Sequence, residues 1–155
     1  MNKERLGFMK MSTKGRYAVR ILLSIARYQK NGPVPKKIIA AEEGISADYI
    51  EQIIVPLKND GLCIGIRGVK GGFKLSKEPK DITVYDILLA SEGAMELVDC
   101  AQMDCAGRDK NKCATRPVWE GASVVLKEFF EKITLQELVD RAAEYDKTGA
   151  ASYSI

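Results

Sequence analysis

Cys100, Cys105 and Cys113 stand together in a polar segment rich in Asp, Lys and Gly, with four residues between the first two and seven between the second and third. Structural cysteines are usually buried singly among apolar neighbours, and a stable disulfide is not expected in a reducing compartment. As thiolates the three would suit a soft metal or an iron-sulfur cluster, and the nearby cations Arg108, Lys110, Lys112 and Arg116 favour the deprotonated form. A 2Fe-2S cluster takes four protein ligands, and histidine, the usual substitute for cysteine, is missing from the chain. The fourth place is left to Asp99, Asp104, Asp109, an acidic residue of a second subunit, Cys63, or an exogenous thiol or water. Zinc and a thiol redox or inert loop are the other readings of the same residues. Cys63 itself lies far from the loop and is read as a packing residue.

The elements that would position such a loop divide by charge. Residues 1–80 hold 16 Lys and Arg against 7 Asp and Glu, whereas residues 81–155 hold 8 against 14. A basic half suits a phosphate backbone, and an acidic half suits sensing or self-association. At 155 residues and 46% apolar composition the chain can bury one good core. No apolar run approaches the ~20 residues of a membrane span, and nothing near Met1 resembles a secretory signal, so a cytoplasmic protein with no membrane partner is expected.

Within the basic half, Ser12 or Thr13 can cap a helix whose apolar face is Ala18, Ile21, Leu22 and Ile25. Arg16, Arg20 and Arg27 line another side of it, where they could follow a DNA backbone. Gly32-Pro33-Val34-Pro35 ends that helix and Pro35 can open the next. Ile38, Ile39 and Ala41 lead to Gly44, which can take the positive φ of a sharp turn, and Ser46 can cap a following helix. This order predicts a helix-turn-helix. Ile50, Ile53, Ile54 and Leu57 would pack inward, leaving Asp48, Tyr49, Glu51 and Gln52 at the end that enters a major groove. Gln52 can pair with an adenine edge, Glu51 can accept from cytosine N4, and Tyr49 can reach a phosphate or a thymine methyl. Pro56 removes one helical hydrogen bond after that reading end.

Leu62, Ile64 and Ile66 alternate with Cys63, Gly65 and Arg67, predicting a strand with one apolar face. Gly68-Val69-Lys70-Gly71-Gly72 then reverses the chain into Phe73-Lys74-Leu75. The hairpin reads as a wing, with Arg67 at its base and Lys70 at its tip placed for the minor groove or phosphates.

In the acidic half Thr83-Val84-Tyr85-Asp86 predicts a capping box with Ile82 and Ile87 as its staple, opening a short helix through Ala90. The same device recurs at Thr134-Leu135-Gln136-Glu137 with Ile133 and Leu138. Between them, Pro117 to Ile133 is expected to be the longest helix. Its stripe of Val118, Ala122, Val125, Leu126, Phe129 and Ile133 exceeds what one small domain can cover and predicts pairing with a second copy. Such a dimer would address a near-palindromic site. Lys147 to Ile155 reads as a flexible tail.

Taken together these features resemble the IscR-like winged-helix regulators, a family that also includes nitric oxide and iron sensors and a cysteine-metabolism repressor. The resemblance spans Met11 to Tyr145. It rests on Ser12-Thr13-Lys14-Gly15-Arg16-Tyr17-Ala18-Val19, on Gly44-Ile45-Ser46 with Tyr49-Ile50-Glu51-Gln52, and on Arg67-Gly68 with Gly71-Gly72-Phe73. The cysteine loop and Ile133-Thr134-Leu135-Gln136-Glu137-Leu138 complete it. It implies a dimer through the long C-terminal helix, DNA contacts at Ser46, Tyr49, Glu51, Gln52 and Arg67, and cluster ligation by Cys100, Cys105 and Cys113. In the iron-sulfur regulators a histidine three residues after the third cysteine completes the ligand shell, and the cysteines are spaced five and five. Arg116 stands at that histidine's place here. The nitric oxide sensors take an aspartate from the partner's first helix, and Arg16 matches that position.

The expectation is a mainly α protein with a small β-hairpin wing, a winged helix-turn-helix followed by a long dimerisation helix. Residues 1–80 would bind DNA, 81–147 would dimerise and carry the cysteine loop, and 148–155 would form the tail. The function expected is that of a homodimeric transcription repressor sensing cluster or redox status through a 2Fe-2S cluster. Two rivals stand beside it: a cluster-free repressor controlled by thiol oxidation or by a metabolic enzyme, and a small iron-sulfur redox protein. Enzyme chemistry is not expected, since the chain has neither a histidine base nor a glycine-rich nucleotide cradle.

Overall fold

The computed structural model describes residues 11–98 and 112–149. Helix α1 (Thr13–Tyr28) starts at Ser12, whose side chain accepts from the Gly15 N–H at 3.1 Å. Ala18, Ile21, Leu22 and Ile25 are fully buried, so the predicted apolar face is the core face. A 3-10 turn (Gln29–Asn31) leads to Pro35, which caps α2 (Lys36–Glu43) from outside rather than occupying its first turn.

Gly44 ends α2 in the left-handed conformation, φ 65° and ψ 33°, a geometry that carries little penalty only without a Cβ. Ser46 then opens α3 (Ala47–Asn59), accepting from the Tyr49 N–H at 3.2 Å. Ile50, Ile53, Ile54 and Leu57 are all buried, which leaves the opposite side of α3 to solvent. The helix-turn-helix is therefore present as its local chemistry dictates.

Strands β1 (Cys63–Ile66) and β2 (Gly72–Leu75) pair antiparallel, with Cys63 opposite Leu75 and Ile66 opposite Gly72. The apolar face expected on β1 is corrected here. Leu62 and Cys63 are the buried residues, whereas Ile64 and Ile66 are 49% and 39% exposed. The reason is that the inner face is set by Cys63, Leu75 and Phe73 packing on the helices, and the alternation turns Ile64 and Ile66 outward. A third segment holds the hairpin: Val34 N–H donates to Phe73 O at 2.8 Å and Phe73 N–H donates to Val34 O at 2.9 Å.

Helix α4 (Val84–Glu92) opens with the full capping box. Asp86 Oδ2 accepts from the Thr83 N–H at 2.8 Å, and Thr83 Oγ1 accepts from the Asp86 N–H at 3.1 Å. Helix α5 (Arg116–Glu131) has 16 residues, equal to α1 rather than longest, and begins one residue before Pro117. Helix α6 (Leu135–Thr148) is capped by Thr134 accepting from the Glu137 N–H at 3.2 Å, half of the box expected. It runs to Thr148, so Lys147 and Thr148 are helical rather than tail.

The two capped starts are stitched together: Val84 N–H donates to Ile133 O and Leu135 N–H to Ile82 O, each at 2.8 Å. One core cluster joins Ile82, Ile87 and Leu135 to the interior faces of α1, α2, α3 and the wing, crossing the boundary expected at 80/81. Helix α5 stands apart from it, with none of its residues buried. Among the described residues, no helix is long and apolar enough to cross a membrane.

Candidate nucleic-acid interface

The outward side of α3 begins at Ser46, exposed and occupied as a helix cap. Glu51 and Gln52 follow as exposed side chains in the next turn. Tyr49 is half-buried, its ring meeting Tyr17 of α1 edge-on at 6.0 Å between centroids. Tyr17 in turn lies 5.5 Å under the Arg20 guanidinium, so the first turn of α3 is braced against α1 by an aromatic and cationic stack.

The α1 arginines are less free than their spacing alone implies. Arg16 is exposed and its guanidinium reaches Thr13 Oγ1 at 3.4 Å. Arg20 Nε donates to Glu43 Oε2 at the end of α2. Burial pushes the Glu43 carboxyl above its ordinary value of 4.5, with Arg20 opposing the shift. Arg27 donates to Glu42 at 3.1 Å and to Asp146 of α6 at 2.7 Å, and Tyr28 Oη donates to Glu42 at 3.1 Å. Arg27 thus ties α1 to both α2 and α6.

Between α3 and the wing lies a groove of about 350 Å³, lined by Lys36, Glu51, Lys58, Arg67 and the glycines of the hairpin turn. Lys36 Nζ donates to Glu51 Oε1. That hydrogen bond and charge, with Lys58 adding to them, hold the Glu51 carboxyl below its ordinary range. Arg67 and Lys70 are exposed on the hairpin, so six of the proposed contacts, Ser46, Tyr49, Glu51 and Gln52 at α3 and Arg67 and Lys70 on the wing, belong to these two elements. Arg16 and Arg20 lie on α1, Arg20 over the Tyr17 ring that meets Tyr49 of α3.

Two features escaped sequence reasoning. Lys36 and Lys58 line the groove, yet nothing local distinguishes them from other surface lysines. The clamp between Val34 and Phe73 is a contact between segments far apart in the chain, and no periodicity announces it. The partners Glu42 and Glu43 had a signal, two adjacent acids just before Gly44 in an otherwise basic half.

Of the three-cysteine loop, Cys113 is described: it is half-buried, with Sγ 3.3 Å from Thr115 Oγ1, two residues before the cap of α5. Cys100 and Cys105 lie outside the described residues. Among the described residues no group of three or more His, Cys, Asp or Glu side chains is placed to hold a metal ion. Arg116, at the position of the missing histidine, donates from Nε to Glu120 Oε1 at 2.6 Å. Cys63 is 1% exposed, and burial pushes its thiol up to about 11, as expected for a packing residue.

Comparison with known proteins agrees with this architecture. The HTH-type transcriptional regulator IscR of Photorhabdus laumondii is 34% identical over 142 residues, covering 91% of this chain and 85% of that protein. The structure of CymR, the global cysteine regulator of B. subtilis, superimposes with a TM-score of 0.71 at 34% identity, covering 86% of this chain and 98% of that one. T. potens IscR does so with the same TM-score and identity, covering 86% and 88%. These relatives are transcription regulators rather than enzymes, and the fold is their winged helix-turn-helix. Residues 11–141 match the Rrf2 family, described as iron-dependent transcriptional regulators, and the chain belongs to that family.

Proposed function

We propose that the protein is a homodimeric, cytoplasmic repressor that reads a near-palindromic DNA operator and responds to iron-sulfur or redox status through the loop of Cys100, Cys105 and Cys113. The observation that carries the DNA reading is the capped α3 beside a cationic wing. Glu51 and Gln52 face solvent at the end of a helix whose other side is locked into the core. Gln52 reads an adenine edge and Glu51 a cytosine amino group, while Arg67 and Lys70 meet phosphates or the minor groove. Ser46 fixes the start of α3, Tyr49 reaches the backbone, and Arg16 and Arg20 follow the phosphates beside it.

The dimer rests on α5. Val118, Val125 and Phe129 are each more than half exposed along one side of that helix, a stripe that a second copy would cover.

The sensor rests on the donor set. Cys100, Cys105 and Cys113 would hold a 2Fe-2S cluster, which when bound supplies a reversible one-electron couple. Three thiolates suit such a group, and with no histidine in the chain the fourth ligand would be a carboxylate of this or a second subunit, Cys63, or an exogenous thiol or water. Two hydrogen bonds support a link between the flank of the loop and the DNA-binding half. Leu97 N–H donates to Ser123 Oγ of α5 at 3.0 Å, and Ser12, the cap of α1, donates to Glu92 at the end of α4. Arg116 occupying the fourth-ligand position favours, as a second reading, a cluster-free regulator controlled by thiol oxidation or a protein partner.

The test is selection from a random duplex library with protein purified without oxygen, before and after iron is removed by chelation, alongside its visible spectrum and iron and sulfide content. Near-palindromic enrichment that changes with iron is expected. A colourless protein that reconstitution cannot load and whose selected sites do not change would favour the cluster-free regulator. No enriched sequence in either state would end the DNA reading.

A further inference from the structure

We propose that Lys36, the first residue of α2, is a positioning residue that sets how Glu51 reads DNA. The inference rests on the DNA-reading function proposed above. Glu51 is a carboxylate on a surface meant for phosphates, which by itself repels the ligand. In the structure it is surrounded by cations: Lys36 donates to its Oε1, and Lys58 and Arg67 line the same groove.

Lys36 is placed there by backbone that has little freedom. Pro35 fixes the entry to α2 at φ −62°, and the Ile38 N–H donates back to Pro35 O at 2.9 Å. Val34 is clamped to Phe73 by the reciprocal pair of hydrogen bonds. Gly72 makes this clamp possible, because a Cβ there would lie 2.3 Å from Val34 O. The backbone of Lys36 therefore stands at a set place between the wing and α3, from which its ammonium reaches Glu51 Oε1.

Two effects follow from that placement. The pair cancels the carboxylate's charge as a phosphate backbone approaches, and it holds the Glu51 side chain in one orientation with Oε1 engaged. Among the described residues Oε2 is left open, ready to accept from a cytosine amino group. A base contact on a flexible, exposed side chain discriminates poorly unless something immobilises it, and Lys36 supplies that restraint. Lys36 then acts on specificity through Glu51 rather than by its own contact with DNA.

The experiment compares full-length wild type, Lys36→Ala, Lys36→Arg, Glu51→Ala and the double variant Lys36→Ala/Glu51→Ala in selection from one random duplex library. Binding titrations over a range of salt follow on the best duplex and its single-base variants. Melting curves confirm that each chain folds. Lys36→Ala is expected to lose about tenfold discrimination at the base pair that Glu51→Ala also relaxes. Lys36→Arg should retain it, and Lys36→Ala should change nothing further in the Glu51→Ala background. An equal loss of affinity on every duplex, with a lower salt slope by about 0.9, persisting in the Glu51→Ala background, would make Lys36 a simple phosphate contact and overturn the proposal. Unaltered base preference in Glu51→Ala would instead remove the Glu51 reading itself, an outcome seen with Lys36 intact and so distinguishable from failure of the positioning role.

Discussion

Arg20 on α1 donates its Nε–H to Glu43 on the last turn of α2, so a guanidinium that could serve a phosphate already carries a partner inside the chain. The side chain of Glu43 is 7% exposed and that of Arg20 40%, which makes the carboxylate the dependent member of the pair. Arg20→Ala strands a nearly buried charge and should cost about 1–2 kcal/mol, discounted from a fully buried pair because Arg20 is partly solvated. Adding Glu43→Gln should recover more than half of that in a thermal melt; no recovery would mean that the pair is not what the arginine stabilises. The pH dependence follows in sign. Glu43 has a folded pKa above its unfolded one, so its contribution to stability is fully present below the ordinary value and is lost as pH rises through the folded one. The Arg20→Ala deficit should therefore be larger at neutral pH than near pH ~4.

Gly72→Ala tests whether the wing is set by its clamp. The added methyl would lie 2.3 Å from Val34 O and 2.5 Å from Val34 C, both backbone atoms that cannot step aside alone. We expect a loss of about 1–3 kcal/mol, as in other overpacked sites, with weaker binding on all DNA sequences because the whole hairpin shifts. A variant with wild-type melting and DNA affinity would show that the wing relaxes without the clamp.

Most of what depends on neighbouring residues was legible in the sequence. Gly44 and Ser46 fix the turn of the helix-turn-helix, Thr83 and Asp86 the start of α4, and the spacing of Ala18, Ile21, Leu22 and Ile25 the core side of α1. What depends on distant segments was not. Ile64 and Ile66 have the right alternation for a buried face, yet which face of a two-stranded hairpin turns inward is decided by Cys63 and Leu75 meeting the helices. The three arginines of α1 have the right spacing for a DNA backbone, but Glu42, Glu43 and Asp146 reach two of them from other helices. In the candidate site, the residue types of α3 and the wing were readable, whereas the groove that joins them through Lys36 required the fold.

Helix α5 carries the prediction about assembly. Val125 and Phe129 are 65% and 57% exposed on a helix with no buried residue. If a second copy covers them, each buried side chain contributes about 1.5–3 kcal/mol, and a two-fold interface counts each twice. Val125→Lys should thus weaken association by at least about a hundredfold and move the sedimenting species to half its mass. Wild-type protein that sediments as a monomer at every concentration would overturn the dimer.

Cys63 and the loop cysteines should separate cleanly in reactivity. Burial raises the Cys63 thiol to about 11, with Lys58 only partly offsetting it, whereas Cys113 is more accessible to solvent. An alkylating reagent at neutral pH should modify Cys113 in the folded apo protein and spare Cys63, since the thiolate is the reactive form. The same shift makes a stability prediction. A thiol whose folded pKa lies above its unfolded value of about 9 stabilises fully below that value, and the contribution disappears as pH rises through the folded pKa. That difference corresponds to about 2–3 kcal/mol lost between pH ~9 and ~11. The comparison is with Cys63→Ser, which keeps every other side chain, whose hydroxyl does not ionise there and whose melting temperature should fall less steeply. Parallel pH profiles for the two proteins would show that Cys63 does not control the alkaline limit.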